Sequence, residues 1–384
     1  MTRHPGHCLQ LTKFYPPVNG GIETTVRDIA EGLTARDWSV EILCANTERR
    51  TVEEPGPIPV TRVSSFGEVA KTSMTPALIP RLLKRQKLND VIHVHMPNPM
   101  ANLALLLARP HAKVVLHWHS DIVKQQRLLR LYAPLQEWLL RRADAILATS
   151  PPYAESSPWL RPYMDKVHFA PSCIRDPDDR MDQAARERIK ASVHAAHPGK
   201  RIVFALGRMT YYKGFNVLVE AARYLGDDTV ILLGGKGELL DGLKAQAAQL
   251  GVAHKVQFLG RVSDEDLPGY YEAADVFCLP SLMRSEAFGL VMVEAMSHRK
   301  PVVATRIPGS GVTWVNVHGE TGLNAEPGDA RDLAATLQQV LDNPEKARAM
   351  GEAGRRRFEQ NFTIDKMIDA VTEAFRHIGV RPSS

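Results

Sequence analysis

Cysteine is scarce in this chain of 384 residues, and its four cysteines, Cys8, Cys44, Cys173 and Cys278, form no CxxC spacing. Three of them lie in apolar runs with the character of strands. A free cysteine behaves as a small hydrophobic residue, so apolar surroundings favour thiols that are buried and unpaired. Free thiols are typical of a reducing compartment. We therefore expect four free cysteines and no disulfide framework.

Long apolar runs are absent as well. The longest, residues 103–108, is far shorter than the 18 residues that indicate a membrane span, and residues 2–7 are polar where a secretory leader would have an apolar core. Excess charge is also small, since 48 Lys and Arg face 43 Asp and Glu, a net charge of +5 that identifies no partner by itself. We expect a cytoplasmic protein, with peripheral attachment to the inner face of a membrane left open.

What the sequence does have is a repeated alternation of strand and helix patterns. The chain is long enough for two domains, and its 44% hydrophobic and 24% charged residues are those of a globular protein. Short apolar runs alternate with helical stretches, which predicts parallel sheets with helices on both faces. In the first half these runs are residues 7–12, 40–44, 60–63, 91–94, 114–116 and 145–148. Ligands of such sheets bind at the carboxyl ends of the strands.

Residues 285–296 (SEAFGLVMVEAM) are the most informative segment, because two carboxylates, Glu286 and Glu294, stand in an otherwise apolar stretch. The spacing predicts a strand, a loop and the start of a helix at Leu290. The amides of Phe288, Gly289 and Leu290 would then lie at a helix N-terminus, which favours anions. Because a carboxylate accepts two hydroxyl hydrogen bonds, each glutamate suits a polyol beside a bound phosphate.

Two further loops follow predicted strands. Arg208 and Lys213 flank residues 207–214 (GRMTYYKG) after the strand at 201–206, where two cations suit a diphosphate leaving group. Gly20 and Gly21 stand between the first strand and the first helix, an arrangement used for phosphates, although the G-x-G-x-x-G fingerprint is missing and a simple turn is the alternative.

Two His-x-His pairs stand at the ends of predicted strands. His93 and His95 form the first pair, and His117 and His119 form the second. A metal site is one interpretation, but no third Cys, Asp or Glu ligand can be named for it. Hydrogen-bonded histidines at strand ends are the other. A further acidic pair, Asp264 and Asp266, precedes a helical stretch and is interpreted as a helix N-cap with first-turn acids rather than as metal ligands.

Together, residues 285–305 (SEAFGLVMVEAMSHRKPVVAT) and 207–214 resemble the two signatures of the retaining glycosyltransferases of family 4. The resemblance implies the GT-B fold: two Rossmann-like domains with parallel sheets facing across a cleft, and a C-terminal helix that crosses back to the first domain. We place the acceptor-binding domain at 1–173, a linker at 174–199, the domain for the nucleotide sugar at 200–362, and the returning helix at 363–384.

The resemblance also assigns roles to residues. Arg208, Lys213 and the loop amides would stabilise the diphosphate, Glu286 would hold sugar hydroxyls, and Glu294 the ribose. His119 would lie beside the transferred sugar, with a role in positioning or in charge stabilisation, and Asp121 is a weaker candidate.

Further residues are assigned to the donor. Gly20 and Gly21 would approach the diphosphate, and Arg261 and Val262 would border the nucleobase. No metal or other cofactor is expected.

Residues 309–323 (GSGVTWVNVHGETGL) look most like bacterial mannosyl- and rhamnosyltransferases of O-antigen and exopolysaccharide pathways. This implies transfer of a hexose with retention, with GDP-mannose as donor and a lipid-diphosphate-linked saccharide as acceptor. The alternatives are another hexosyl donor, a non-hydrolysing nucleotide-sugar 2-epimerase, and a non-catalytic nucleotide-sugar-binding protein. Nucleic acid is not expected as a partner, since no motif for it occurs. The basic segments 81–87 and 124–142 are either solvated helix faces or a surface for anionic lipid.

Overall fold

The chain divides into two units, each built around its own parallel sheet. The computed structural model describes residues 6–18, 20–69, 72–122, 126–179 and 183–382. Unit 1 comprises Met1–Ser172 together with Ile364–Ser384, and unit 2 comprises Cys173–Thr363. The prediction of two α/β domains is confirmed, and so is the return of the last helix to the first of them.

Unit 1 contains an eight-stranded sheet in the order β10-β9-β8-β7-β1-β2-β4-β3, in which only β3 is antiparallel to its neighbour. Its strands are β1 (His7–Leu11), β2 (Ser39–Ala45), β3 (Val52–Glu54), β4 (Val60–Val63), β7 (Val91–Met96), β8 (Lys113–Trp118), β9 (Ala145–Ala148) and β10 (Val167–Phe169). A separate hairpin consists of β5 (Glu68–Val69) and β6 (Thr72–Ser73). The four central strands are buried, so both faces of the sheet are covered.

The helices of unit 1 are α1 (Gly21–Thr34), α2 (Leu78–Arg85), α3 (Pro99–Ala108), α4 (Gln126–Arg142), α5 (Pro151–Ser156) and α14 (Ile364–His377). Helix α2 packs on α3, and α3 packs on α4. Helix α14 packs on α1 and covers the unit through Phe375, whose ring centroid lies 5.2 Å from that of Trp38. An ion pair of 2.6 Å between Arg36 and Asp369 closes the edge of this contact.

Unit 2 contains a six-stranded parallel sheet in the order β13-β12-β11-β14-β15-β16. Its strands are β11 (Arg201–Leu206), β12 (Thr229–Gly234), β13 (Val256–Gly260), β14 (Val276–Leu279), β15 (Val302–Thr305) and β16 (Gly322–Ala325). Its helices are α6 (Gln183–Ala196), α7 (Phe215–Ala221), α8 (Leu240–Gln249), α9 (Leu267–Ala273), α10 (Leu290–Ser297), α11 (Val312–Val315), α12 (Ala330–Leu341) and α13 (Pro344–Asn361). Buried aliphatic side chains of α7, α8 and α12 fill the core against this sheet.

The segment predicted as a linker, residues 174–199, contributes to unit 2. It contains α6, which packs along α9, and its beginning is fixed by Arg355 of α13, which donates to both oxygens of Asp176 at 2.9 and 2.6 Å. Such a bidentate pair holds the backbone in a defined position. The sequence indicated a polar and charged stretch with a short helical pattern at 178–199, and few of these residues are buried.

The cysteines and the possible membrane spans were predicted from the sequence. Cys8, Cys44, Cys173 and Cys278 are all free and buried, as expected. Within the described ranges, every helix is too short or too polar to cross a membrane. The basic segment predicted at 124–142 starts at Lys124, outside the described residues, and continues as α4.

Candidate functional site

The two loops that carried the family resemblance are in contact at the carboxyl edge of the unit 2 sheet. Residues 207–214 follow β11, and residues 280–289 follow β14, the neighbouring strand. The Leu282 amide donates to the Tyr212 carbonyl at 2.8 Å. Gly214 lies directly on the Pro280 carbonyl: a Cβ added to Gly214 would be 1.9 Å from that oxygen, and its φ of 69° is one that glycine adopts freely.

A buried ion pair joins these loops. Lys213 Nζ lies 2.6 Å from Glu286 Oε2, and both residues are less than a tenth exposed. Burial by itself lowers the pKa of Lys213, but the charge of Glu286 and the hydrogen bond to it outweigh burial, so the pKa of Lys213 lies above its ordinary value. Lys213 is therefore a fixed ammonium at neutral pH.

Hydroxyl groups on neighbouring segments hold Glu286 in place. Ser281 Oγ donates to Glu286 Oε2 at 2.9 Å, and Ser310 Oγ donates to the Glu286 carbonyl. Thr305, the last residue of β15, donates to the Ser281 carbonyl. None of these three hydroxyl groups was predicted from the sequence. A signal for two of them was available, since Ser281 and Thr305 stand at the carboxyl ends of strands, where site residues concentrate.

The helix N-terminus predicted after Gly289 is present. Gly289 is the N-cap of α10 with φ 82°, and no side chain caps this helix in the part of the chain that the structure describes. The Leu290 amide therefore remains available to an anion. Phe288 is nearly fully buried, and its ring packs against Trp314 and Phe362 with centroid distances of 6.2 and 5.9 Å, so only its backbone faces the loop's polar groups.

The other cations and the nucleobase candidates lie along the same edge. Arg208 is exposed and forms no ion pair with a described residue, so its guanidinium is available to a ligand. Arg261, which follows β13, is exposed, whereas Val262 is half-buried against Gly234. The structure thus brings Arg208 and Lys213 to one loop, with Arg261 two strands away in the order β13-β12-β11.

Glu294 occupies a different environment from Glu286. It is half-buried on α10 and accepts a hydrogen bond of 2.6 Å from the Tyr271 hydroxyl. Burial raises the pKa of Glu294 from 4.5 to about 7, a shift that the Tyr271 hydrogen bond opposes. Both residues line a cavity of about 200 Å³ that Asp264, Leu267 and His298 also border. Close to pH 7 this carboxyl group therefore changes charge easily.

We expect Glu294→Gln to remove a pH dependence of stability. The folded pKa of about 7 exceeds the ordinary 4.5, so the stabilisation from the Glu294 proton is complete below pH 4.5 and is lost as the pH rises through 7. The slope for one such group is about 1.4 kcal/mol per pH unit. In urea unfolding, the free energy of unfolding of the variant should rise relative to that of the wild type between pH 5 and 7. Above pH 7 this difference should no longer change. An exposed control, Glu265→Gln, should show no such trend, and a constant difference for Glu294→Gln would contradict the assignment.

In unit 1, Gly20 and Gly21 begin α1. Gly20 is the N-cap residue, its carbonyl accepts the Thr24 amide at 3.0 Å, and Gly21 is the first helical residue. The loop before them is anchored by Arg62, which donates to the carbonyls of Tyr15 and Pro16 at 3.0 and 2.5 Å. The predicted order of strand, glycine loop and helix is therefore present.

The four histidines form one cluster on β7 and β8, in which His95, His117 and His119 lie towards the carboxyl ends and His93 lies inside β7. His93, His95 and His117 are buried, and His119 is half-buried. The rings of His117 and His119 stack with centroids 4.4 Å apart and planes 9° apart. His95 Nδ1 lies 3.0 Å from His119 Nε2, and His95 Nε2 lies 2.7 Å from Gln10 Oε1 on β1.

Burial keeps these imidazoles neutral at pH 7. It lowers the pKa of His93 to about 3 and that of His119 to about 4, and it places the pKa values of His95 and His117 well below their ordinary value. His119 therefore offers a hydrogen-bonding group rather than a positive charge. Of the two roles predicted for it, positioning and charge stabilisation, this favours the first.

A metal could be considered at His95, His117 and His119, whose ligand nitrogens lie within 4.8 Å of one another. The rings are nearly parallel, with interplanar angles of 9°, 12° and 19°, and two of the nitrogens already face each other at 3.0 Å. A tetrahedral ion needs lone pairs that converge on one point. The rings would have to rotate before they could bind it.

Two other acidic candidates have structural partners. Asp121 accepts hydrogen bonds from Trp118 Nε1 at 2.8 Å and from Ser157 Oγ at 2.9 Å, so it fastens the loop after β8. The predicted capping by the acids before α9 is wrong in detail: Asp266 is the N-cap residue but its carboxylate caps no amide, and Ser263 Oγ accepts the Asp266 amide instead.

Comparison with known proteins shows the family to which this chain belongs. The glycosyl transferases group 1 family matches residues 186–357, and the glycosyl transferase 4-like domain matches residues 20–173. O-antigen chain mannosyltransferase C of Escherichia coli is 32% identical over 367 residues, which cover 94% of this chain and 95% of that protein. D-rhamnosyltransferase WbpZ of Pseudomonas aeruginosa is 31% identical over 347 residues, 90% of this chain and 88% of that protein.

Solved structures share the fold at lower identity. Sucrose-phosphate synthase from Thermosynechococcus elongatus matches with a TM-score of 0.78 at 22% identity, covering 97% of this chain and 99% of that one. Anabaena Alr3699/HepE in complex with UDP matches with a TM-score of 0.76 at 20% identity, covering 97% and 100%. The chain belongs to the group 1 glycosyltransferases and has the GT-B fold, as its sequence resemblance to glycosyltransferase family 4 implied.

Proposed function

We propose that this glycosyltransferase moves a mannosyl group, with retention of its anomeric configuration, from GDP-mannose to a saccharide carried on a lipid diphosphate. The observation that carries the donor half of this proposal is the buried Lys213–Glu286 pair beside the exposed Arg208 and the open N-terminus of α10. A fixed cation, an exposed cation and a free amide at one sheet edge form a receptor for a diphosphate.

The chemical difficulty is the negative charge that grows on the leaving diphosphate as the anomeric C–O bond breaks. Lys213 is held in place by Glu286, so its charge needs no reorganisation when that bond breaks. Arg208 and the Leu290 amide would complete the stabilisation. We propose that this makes a metal ion unnecessary.

The two glutamates would bind the hydroxyls on either side of the diphosphate. Glu286 shares one oxygen between Lys213 and Ser281, which leaves its other carboxylate oxygen to accept a sugar hydroxyl. Glu294, in its separate cavity, would accept the ribose hydroxyls. No side chain is placed as a nucleophile in the described loops of unit 2, and we propose front-face transfer.

The identity of the sugar is drawn from relatives. The Escherichia coli relative is named for mannosyl transfer and the Pseudomonas aeruginosa relative for D-rhamnosyl transfer, and the two are about equally similar to this chain. Because the relative named as an O-antigen chain mannosyltransferase matches slightly more of this chain, mannose is our first choice and D-rhamnose the second.

Isothermal titration calorimetry with GDP-, UDP-, ADP- and dTDP-sugars tests the donor. We expect GDP-mannose to bind and, with a lipid-diphosphate saccharide present, to release GDP. Binding of GDP-rhamnose in preference would select the second candidate. Release of a free epimerised nucleotide sugar without acceptor would instead identify an epimerase, and binding with no turnover of any kind would identify a non-catalytic binder.

Treatment with a chelator should leave the turnover unchanged. The charges that face the leaving group come from Lys213 and Arg208, which EDTA does not remove. GDP release should be measured with and without EDTA after dialysis, and again after adding Mg²⁺ or Mn²⁺. A loss of activity that either ion restores would contradict the metal-free mechanism.

We further propose that one face of unit 1 rests on anionic lipid, where a lipid-linked acceptor would be found. Of the large apolar side chains that the structure describes as exposed in unit 1, all but Phe169 lie on the β5–β6 hairpin and the connected α2, α3 and α4 layer. They are Phe66, Val69, Met74, Leu83, Leu88, Leu107 and Leu131. Lys84, Lys87 and Arg130 are exposed among them, so apolar and positive groups alternate as they do on membrane-surface proteins.

Not every cation predicted for this surface belongs to it. Arg81 pairs with Glu53 and Arg85 with Glu41, while Arg142 donates to Asp144 and to the carbonyls of Pro110 and Ala112. These arginines stabilise the fold through ion pairs and hydrogen bonds within unit 1. Among the side chains that the structure describes, the cations left for lipid are Lys84, Lys87, Arg130 and the exposed Arg141.

Sedimentation with vesicles tests this face. We expect binding to vesicles of phosphatidylglycerol and phosphatidylethanolamine and not to phosphatidylcholine alone. The pair Lys84→Glu/Lys87→Glu should weaken binding at least 10-fold, since each cation near such a surface contributes about 1 kcal/mol. The matched pair Lys244→Glu/Lys346→Glu, exposed lysines of unit 2, should leave it unchanged. Equal losses in both pairs would show a general charge effect and no specific face.

A further inference from the structure

A chain of hydrogen bonds runs across three neighbouring strands of unit 1. It starts at Gln10 on β1, passes through His95 on β7 and ends at His119, which follows β8. Gln10 and His95 are almost completely buried. Neither was singled out for a role in catalysis, and Gln10 carries no signal in the sequence beyond its place in an apolar strand.

The chain has a direction. Gln10 Nε2 donates to Cys8 Sγ at 3.4 Å, which turns Gln10 Oε1 towards His95 Nε2 at 2.7 Å. An amide oxygen only accepts, so His95 Nε2 must bear the hydrogen. A neutral His95 then has a bare Nδ1, which accepts from His119 Nε2 at 3.0 Å.

The consequence falls on the other nitrogen of His119. With its hydrogen on Nε2, a neutral His119 has a lone pair at Nδ1, and Nδ1 has no hydrogen-bond partner in the described ranges. His117 stacks flat on the same ring, with the planes 9° apart, and prevents it from tilting. The ring is thus fixed both in orientation and in the position of its proton.

We propose that Gln10 and His95 are positioning residues that hold His119 as the Nε2–H tautomer, so that its Nδ1 accepts a hydrogen bond from a hydroxyl of the reacting saccharide. This rests on the proposed function in one respect, namely that His119 meets a saccharide. The assignment of the tautomer stands on the geometry of the free protein. It makes His119 an acceptor for hydroxyl hydrogens and excludes an imidazolium that would stabilise phosphate charge.

The same three histidines could be read as a metal site, but the chain of bonds explains their geometry without rotation of any ring. In the hydrogen-bonded arrangement the two facing nitrogens share one proton. With a metal both would have to be bare and turned to a common point. Binding of Zn²⁺ is therefore an outcome that the test must include.

Nitrogen-15 NMR of histidine-labelled full-length protein at pH 7 tests the tautomer directly. We expect His119, assigned through the loss of its signals in His119→Gln, to show a protonated Nε2 and a bare Nδ1. The opposite tautomer, an imidazolium, or signals that move on adding one equivalent of Zn²⁺ would overturn the proposal. This readout needs no substrate, so it decides even if GDP-mannose is not the donor.

Substitution of His95 tests the positioning. His95→Leu removes the acceptor, and we expect kcat for GDP release from GDP-mannose to fall on the order of 100-fold, the effect of a misplaced group at a reaction centre. The affinity for GDP should not change, because neither His95 nor His119 is among the groups proposed to bind GDP. His95→Asn keeps an acceptor near the place of Nδ1 and should restore most of kcat.

His93→Leu is the matched control. His93 is on the same strand and equally buried, and neither of its ring nitrogens has a partner among the described residues. It should keep the wild-type kcat. Equal losses in His95→Leu and His95→Asn, or a full kcat in His95→Leu, would overturn the positioning role. A parallel loss of GDP affinity in His95→Leu would show general damage to the fold and overturn it too.

Discussion

Lys213→Ala should reduce transfer from GDP-mannose on the order of 100-fold, because it removes the cation that is fixed beside the leaving diphosphate. Removing one preorganised electrostatic donor raises the activation free energy by about 3 kcal/mol. Lys213 meets the requirement of preorganisation, because Glu286 fixes its ammonium at 2.6 Å and the loop around it is packed on Pro280. The measurement is kcat/KM for GDP release with saturating acceptor.

A loss of stability must be separated from this loss of chemistry. Taking the ammonium away leaves the buried Glu286 without its partner, which costs about 3–5 kcal/mol in other proteins. Rates should therefore be measured at a temperature where circular dichroism shows the variant folded. Lys213→Arg, which keeps the charge but changes its shape, should restore stability more fully than it restores the rate.

Lys255→Ala supplies a matched control in the same unit. Lys255 is as buried as Lys213, pairs with Asp227 at 2.8 Å and donates to the Leu225 carbonyl at 2.9 Å, away from the carboxyl edge of the sheet. It should lower stability without changing kcat. Wild-type turnover in folded Lys213→Ala, or an equal rate loss in Lys255→Ala, would remove Lys213 from the mechanism.

Much of the fold could be predicted because its signals are local. Apolar runs bounded by turns identified β1, β2, β4, β7, β8, β9 and β11, since buried parallel strands are continuous in hydrophobicity. The short strands β3, β5, β6 and β10 were not predicted. Their residues are partly exposed, and each strand is only two or three residues long, so none of them forms a continuous apolar run. Residues 318–323 suggested only a glycine loop, although Gly322 begins the buried strand β16.

The candidate site was predictable where charge stands out from its surroundings. Arg208, Lys213 and Glu286 are charged residues in apolar or glycine-rich context, and the structure places them along one sheet edge. Which of them pair, and which stay free, depends on the packing of β11 against β14 and has no local signature. Ser310 and Gln10 were missed for the same reason: a hydroxyl or amide is common in any sequence, and only the fold shows its partner.

The backbone and the side chain of Phe288 have different roles. The helix start after Gly289 was correctly predicted, and with it the amides of residues 288–290. The Phe288 side chain, however, belongs to an aromatic cluster with Trp314 and Phe362. The apolar character that marked the segment as buried thus stabilises the fold, while the backbone alone remains available to a ligand.

Gly214→Ala should lower the free energy of unfolding by roughly 3 kcal/mol or more, the largest effect on stability that we expect from one methyl group. The new Cβ would lie 1.9 Å from the Pro280 carbonyl oxygen, and φ is 69°, so both sterics and backbone conformation oppose it. Since the loops of Lys213 and Glu286 meet at this point, relief of the overlap must move one loop away from the other. We therefore expect the affinity for GDP to fall with stability.

Gly242→Ala separates this effect from the general cost of replacing glycine. Gly242 lies in α8 of the same unit, is exposed, and has nothing within 4 Å of an added Cβ. There alanine should raise the free energy of unfolding by about 0.5–1 kcal/mol, because it favours the helix. Urea unfolding and calorimetric titration with GDP measure both variants. If Gly214→Ala were as stable as the wild type and bound GDP as tightly, the contact of Gly214 with Pro280 would not be what joins the two loops.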